Sequence, residues 1–68
     1  MFNLYDYVKH PYHGMGKVID SRPDEEGYIQ CEFLHMDADV KSIYVHQNSL
    51  EMLDADNSIR CMILFLQK

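Results

Sequence analysis

Both prolines and all three glycines of this chain fall between Pro11 and Gly27, and they cut its first half into short pieces. Pro11 has no N–H to give to a ladder and biases His10 toward an extended backbone, so a strand over residues 4–10 ends there. In that strand Leu4 and Val8 share one face in period two, Tyr5, Tyr7 and Lys9 hold the other, and Asp6 interrupts the apolar face. The chain then turns through residues 12–15, where Gly14 and Gly16 supply the backbone freedom a tight reversal needs. A short second strand over residues 17–20 leads into Ser21-Arg22-Pro23-Asp24-Glu25-Glu26-Gly27, a polar connection of the kind found in exposed loops.

Residues 28–34 form the clearest strand, with Ile29, Cys31 and Phe33 alternating against Tyr28, Gln30 and Glu32. A turn at residues 35–39 precedes a fourth strand, 40–45, with Ile43 and Val45 directed inward. Residues 47–53 are too few for a stable α-helix. Asn48 or Ser49 can cap a single 3₁₀ turn that leads into a short strand. After a turn at residues 54–57, residues 58–67 read as a last strand. Short strands between turns, with no long helical period, predict an all-β fold: a small antiparallel barrel of about five strands with an extra C-terminal strand.

At 68 residues the chain makes one domain, whose core can supply only a few kcal/mol of net stability and no large substrate cavity. Eleven Asp and Glu against six scattered Lys and Arg disfavour nucleic acid, because phosphate affinity needs basic groups concentrated on one face. A protein partner suits the balance better. Cys31 and Cys61 stand thirty residues apart, with no CxxC spacing and no secretory signal ahead of them, and are expected to be reduced, buried thiols of a cytoplasmic protein. The longest apolar run, Cys61-Met62-Ile63-Leu64-Phe65-Leu66, is far below the roughly 20 residues that span a bilayer.

His10 and His13 lie three apart, and His35, His46 and the cysteines could add ligands. A structural zinc site, however, uses two tight pairs, and the second pair is missing. A phosphate cradle needs its glycines to open onto a helix, whereas Gly14-Met15-Gly16 opens onto a strand. No GxSxG, HExxH or supported Cys-His arrangement is present, and Glu25-Glu26 reads as a solvated loop. The reading is therefore a non-enzyme without metal or cofactor.

The stretch VKHPYHGMGKVID, followed after a loop by YIQCEFLHMDADVKSIYVHQNSLEML, resembles the RNA polymerase interaction domain shared by the CarD and CdnL transcription regulators and the Mfd transcription-repair coupling factor. Val8, His10, Pro11, His13, Gly14 and Gly16 match the opening "VVHPxHGxG" pattern of that family. Tyr44, Val45, Asn48, Leu50 and Leu53 match its closing "YVPxxNLxxL", with His46 in the place of the proline. The similarity covers about residues 4–53. A second family, the C-terminal Tudor-like domain of the UvrD and PcrA helicases, carries a similar turn and a closing "LEPL", echoed by Leu50-Glu51-Met52-Leu53. Either resemblance implies an SH3-like or Tudor-like barrel that contacts RNA polymerase. The CarD type implies pairing of an exposed strand edge with the β-subunit lobe.

On that resemblance the contact surface is Tyr28, Gln30, Glu32, Lys41, Ser42 and Tyr44, with Tyr44 as the aromatic anchor, and the module modulates transcription of a bacterial polymerase, one that a phage protein could also target. His10, Pro11, His13, Gly14 and Gly16 are then structural, fixing a corner of the barrel. A nucleic-acid barrel stacking bases on Tyr5, Tyr7, Tyr12, Tyr28 and Tyr44 is the alternative that charge opposes. The extension 58–67 carries Ile59, Cys61, Ile63 and Phe65 on one strand face and Arg60, Met62, Leu64 and Leu66 on the other, so both faces are apolar beyond Cys61. A strand apolar on both faces must be covered on both. It either packs over the barrel as an added strand or helix turn, or builds a homodimer through Met62, Leu64 and Leu66.

Overall fold

A computed structural model describes residues 1–37 and 39–68; Ala38, in the turn expected at 35–39, lies outside the described residues. Five strands, β1 (Tyr7–His10), β2 (Gly14–Asp20), β3 (Tyr28–Phe33), β4 (Ile43–His46) and β5 (Glu51–Met52), form one antiparallel sheet in the order β4-β3-β2-β1-β5. A 3₁₀ turn (Gln47–Ser49) joins β4 to β5, and a helix, α1 (Ala55–Leu66), follows.

In a flat sheet the two outer strands of five would stand roughly 19 Å apart. Only Gln47, Asn48, Ser49 and Leu50 link β4 to β5, and a 3₁₀ turn advances just ~2 Å per residue. The sheet must therefore curl strongly. A register shift between Val18 and Asp20 in the β2–β3 ladder adds local bend. The curl encloses Val8, Val18, Ile29, Cys31, Phe33, Val45 and Leu50, with Phe2, Met36 and Ile43 packed against them.

The alternation of β3 behaves as its sequence predicts, with Ile29, Cys31 and Phe33 buried. Strand β1 is shorter than the period-two pattern suggests. Asn3 and Asp6 close a turn instead, Asn3 N–H donating to the Asp6 carboxylate at 2.7 Å and Asp6 N–H to the Asn3 carbonyl at 3.1 Å. Tyr5 is thereby held at φ 68, and Leu4 stays half-exposed rather than joining Val8 inside. Strand β2 runs back through Gly14 and Gly16, and β4 begins only at Ile43, leaving Val40 exposed. His46, not Asn48 or Ser49, caps the 3₁₀ turn, its Nδ1 accepting from Asn48 N–H at 3.1 Å.

The largest correction concerns the extra strand expected at residues 58–67: α1 takes Ala55–Leu66, including most of the turn expected at 54–57, and Gln67 is its C-cap. Asp54 stands at the N-cap in extended backbone, and its carboxylate accepts from Asn57 N–H at 2.8 Å and from the Asn57 side chain at 3.2 Å. A cap of this kind contributes about 1 kcal/mol. Arg60, Met62, Leu64, Leu66 and Gln67 favour a helix whereas Ile59, Ile63 and Phe65 favour a strand, so an apolar run of this length fits either period until its neighbours decide.

Helix α1 lies on the face of β1 and β2 that points away from the core. Tyr7 and Lys17, paired across the ladder, both meet Phe65: the rings of Tyr7 and Phe65 are 6.3 Å apart, and the Lys17 ammonium sits 4.8 Å from the Phe65 centroid. Cys61 is fully buried here, its Sγ 3.8 Å from the Gly16 carbonyl. Both cysteines are free thiols, Cys31 inside the core and Cys61 beneath the helix on the opposite face.

Candidate protein-interaction face

The β3–β4 ladder sets the geometry of this face. Ile29 pairs with Val45 and Cys31 with Ile43 on the core side, so the alternate pairs, Tyr28 with His46 and Gln30 with Tyr44, point outward. Helix α1 covers only the β1–β2 half of that outer face, and the β3–β4 half stays open. Tyr44 is 66% exposed there, Tyr28 37%. The Gln30 amide donates to the Ser42 hydroxyl, tying the approach to β4 onto β3. The Tyr28 and His46 rings meet edge to face at 5.3 Å.

The loop before β3 is fixed by Asp24, whose Oδ1 accepts from Glu26 N–H and from Tyr28 N–H, each at 2.9 Å. The Tyr28 bond, reinforced by those from Glu26 and Gly27 and by the charge of His46, holds the Asp24 carboxyl below its ordinary value. Gly27, at φ +92, lets the loop close tightly, since a Cβ there would stand 2.9 Å from His46 Nε2. Strand β4 pairs with β3 alone among the described residues and is an edge of the sheet. An unpaired edge presents free backbone donors and acceptors to a partner strand.

Of the six residues expected to share one contact surface, Tyr28, Gln30, Ser42 and Tyr44 come together. Lys41 is exposed just before them. It lines a shallow depression with Glu32, Met36, Asp37, Val40 and Lys68. Glu32 is engaged elsewhere, 3.6 Å from the Lys68 ammonium and 4.0 Å from that of Lys17, and so it anchors the end of α1. Lys68 also donates to the Phe33 carbonyl at 3.2 Å.

The histidine turn forms a compact corner between β1 and β2. His10 Nδ1 accepts from Tyr12 N–H at 3.1 Å and lies 3.4 Å from His13 N, and both imidazoles pack on Phe33 at 5.8 and 5.1 Å. Burial, and then the charge of His13, push the His10 imidazole below its ordinary value. Pro11 leaves Tyr12 projecting almost wholly into solvent. Gly14 takes φ +76, and a Cβ on Gly16 would stand 2.5 Å from the Phe33 ring. Among the described residues, no three His, Cys, Asp or Glu side chains cluster as metal ligands would, and no helix is long and apolar enough to cross a membrane.

As helical positions, Met62, Leu64 and Leu66 no longer share one face, since each step of two residues turns the helix by about 200°. Met62 and Leu66 fall on one outward stripe with Ile59 and Ile63, while Leu64 turns to its flank. The spacing 59, 62, 63, 66 is the helical signal a strand reading overlooks. His46 is the other residue whose part was missed: it buttresses Tyr28 and caps the 3₁₀ turn at once.

No family model, curated protein or solved structure matches this chain.

Proposed function

We propose that this chain is a non-enzymatic, cytoplasmic interaction module that binds the β-subunit lobe of RNA polymerase and modulates transcription. The observation that carries the reading is β4, an edge strand that presents Tyr44 beside Tyr28 and Gln30. Backbone pairing along such an edge supplies affinity, and the outward aromatic supplies a hot spot.

The same reading takes the curled sheet as an SH3-like or Tudor-like barrel. Sequential pairing of β1 to β4, the 3₁₀ turn and the return of β5 to β1 support it. The residues matching the polymerase-interaction pattern also have coherent parts here: Val8, Val45 and Leu50 fill the core, Gly14 and Gly16 permit the corner, and Tyr44 is left free. Those parts are what an interaction module needs, with most of the matching residues given to packing and one side chain left for a partner.

The test is retention of purified core RNA polymerase, and separately of its isolated β-lobe fragment, by the tagged chain. Both should be retained. Tyr44→Ala should weaken the isotherm by about 30-fold, a hot-spot loss, while leaving the melting temperature within about 2 °C, since the side chain is mostly exposed. Failure to retain polymerase and lobe alike refutes the reading.

A further inference from the structure

Helix α1 presents to solvent a stripe that the rest of the fold does not use. Ile59, Met62, Ile63 and Leu66 are 53%, 41%, 47% and 80% exposed, at the i, i+3, i+4, i+7 spacing that places four side chains on one face. No charged residue interrupts the stripe, and Asp56, Arg60 and Gln67 lie along its side. The opposite face of the same helix, through Cys61 and Phe65, is committed to β1 and β2. This helix is apolar on two sides, and the sheet covers only one.

We infer that the uncovered stripe is a homodimer interface, with α1 of one copy packed antiparallel on α1 of a second. The spacing is self-complementary. A two-fold axis between Met62 and Ile63 sets Ile59 of each copy over Leu66 of the other and Met62 over Ile63, as an isologous contact requires. Antiparallel packing also sets each helix dipole against its opposite.

Area supports a second copy as occupant. The four residues expose on the order of 450 Å², within the ~300–600 Å² of the largest apolar patch on a typical monomer, which is often functional. That is roughly a tenth of the 4942 Å² of the chain's surface, the share a standard interface takes from a small protein. Full burial of both stripes removes about 900 Å², and contacts of Asp56, Arg60 and Gln67 at the rim bring the total to the ~1,000 Å² that separates specific interfaces from weaker ones, the size of a dimer that dissociates on dilution.

The experiment is sedimentation equilibrium of the full chain from about 1 to 200 μM, with melting curves over the same range. The expected result is a monomer–dimer equilibrium and a melting temperature that rises with concentration. Ile63→Glu should weaken dimerisation at least tenfold, because it brings two like charges together beside the axis in place of an apolar contact. Leu66→Glu, at the most exposed position of the stripe, serves as a second disrupting variant that the fold tolerates. Tyr44→Ala should leave the dimer intact, which separates this surface from the β4 edge. A monomer at every concentration overturns the inference, as do open-ended aggregates or a dimer insensitive to both helix variants.

Discussion

Gly16→Ala tests how tightly the corner between the histidine turn and the core is packed. Gly16 faces Phe33 across the β2–β3 ladder, and its φ is not in the left-handed region. Alanine can adopt the backbone, and lower entropy of the unfolded chain would favour it by about 0.5–1 kcal/mol. Space opposes it. The new Cβ would stand 2.5 and 2.9 Å from two Phe33 ring carbons and 2.6 Å from the Glu32 carbonyl oxygen, where ordinary contact begins at 3.4 Å. Phe33 is fully buried with the two histidine rings on it, so it has no open side to move into. Overpacking of this kind costs about 1–3 kcal/mol, and a backbone contact puts the expectation at the upper end, about 2 kcal/mol net. In a domain this small that lowers the melting temperature by roughly 8–16 °C, measured by circular dichroism. Phe33→Leu alone should destabilise through lost packing. In the double variant, however, it should recover only part of the Gly16→Ala loss, because the Glu32 carbonyl is still in the way. A Gly16→Ala protein as stable as the parent would show that the corner is loosely packed and would refute the argument.

Two further perturbations follow from protonation. The His10 imidazole is held below the 6.5 of a free histidine, so between the folded and unfolded values the unfolded chain binds the extra proton. The stability it contributes is then complete above about pH 6.5 and is lost as pH falls through the folded value. His10→Asn keeps an acceptor for Tyr12 N–H without titrating, and its urea midpoint should fall less between pH 8 and 5; parallel pH profiles would count against the assignment. Burial pushes the Cys31 thiol up to about 11, leaving about one thiolate in a thousand at pH 8, and burial raises Cys61 as well against the opposing charge of Lys17. A thiol reagent should therefore label Cys31 of the native protein at least a hundredfold more slowly than in urea, and Cys61 more slowly as well; rapid native labelling of both would contradict the placement.

The core was legible because its signal is local. Alternation in residues 28–34 identified Ile29, Cys31 and Phe33, and the open set Tyr28, Gln30 and Tyr44 follows from the same alternation carried across the ladder. Two other features depend on contacts that no window of sequence displays. Glu32 alternates with the outward set, but Lys68, just past the end of a helix packed on the neighbouring strands, draws it away. Residues 58–67 satisfy both periods, and the deciding facts are a side-chain cap at Asp54 and the landing of Cys61 and Phe65 on β1 and β2. Leu4 fails for a third reason: a carboxylate two residues later closes a turn more favourably than the first strand extends.

The placement of α1 is what allows the two proposed surfaces to coexist. The helix occupies the β1–β2 half of the outer face, while β4 forms the sheet edge two strands beyond β2, roughly 10 Å away. A second copy on the outward stripe of α1 leaves that edge free, so a dimer would present two β4 edges related by the same two-fold axis. Two edges on one particle raise apparent affinity only where both can be engaged at once, as with lobes displayed on a surface. A single polymerase offers one β lobe, so the dimer and a monomeric Ile63→Glu variant should bind free polymerase with equal intrinsic affinity. Immobilised lobe at high density should retain the dimer longer than the variant. Equal retention would mean that the two edges cannot be used together, whatever the strength of either surface alone.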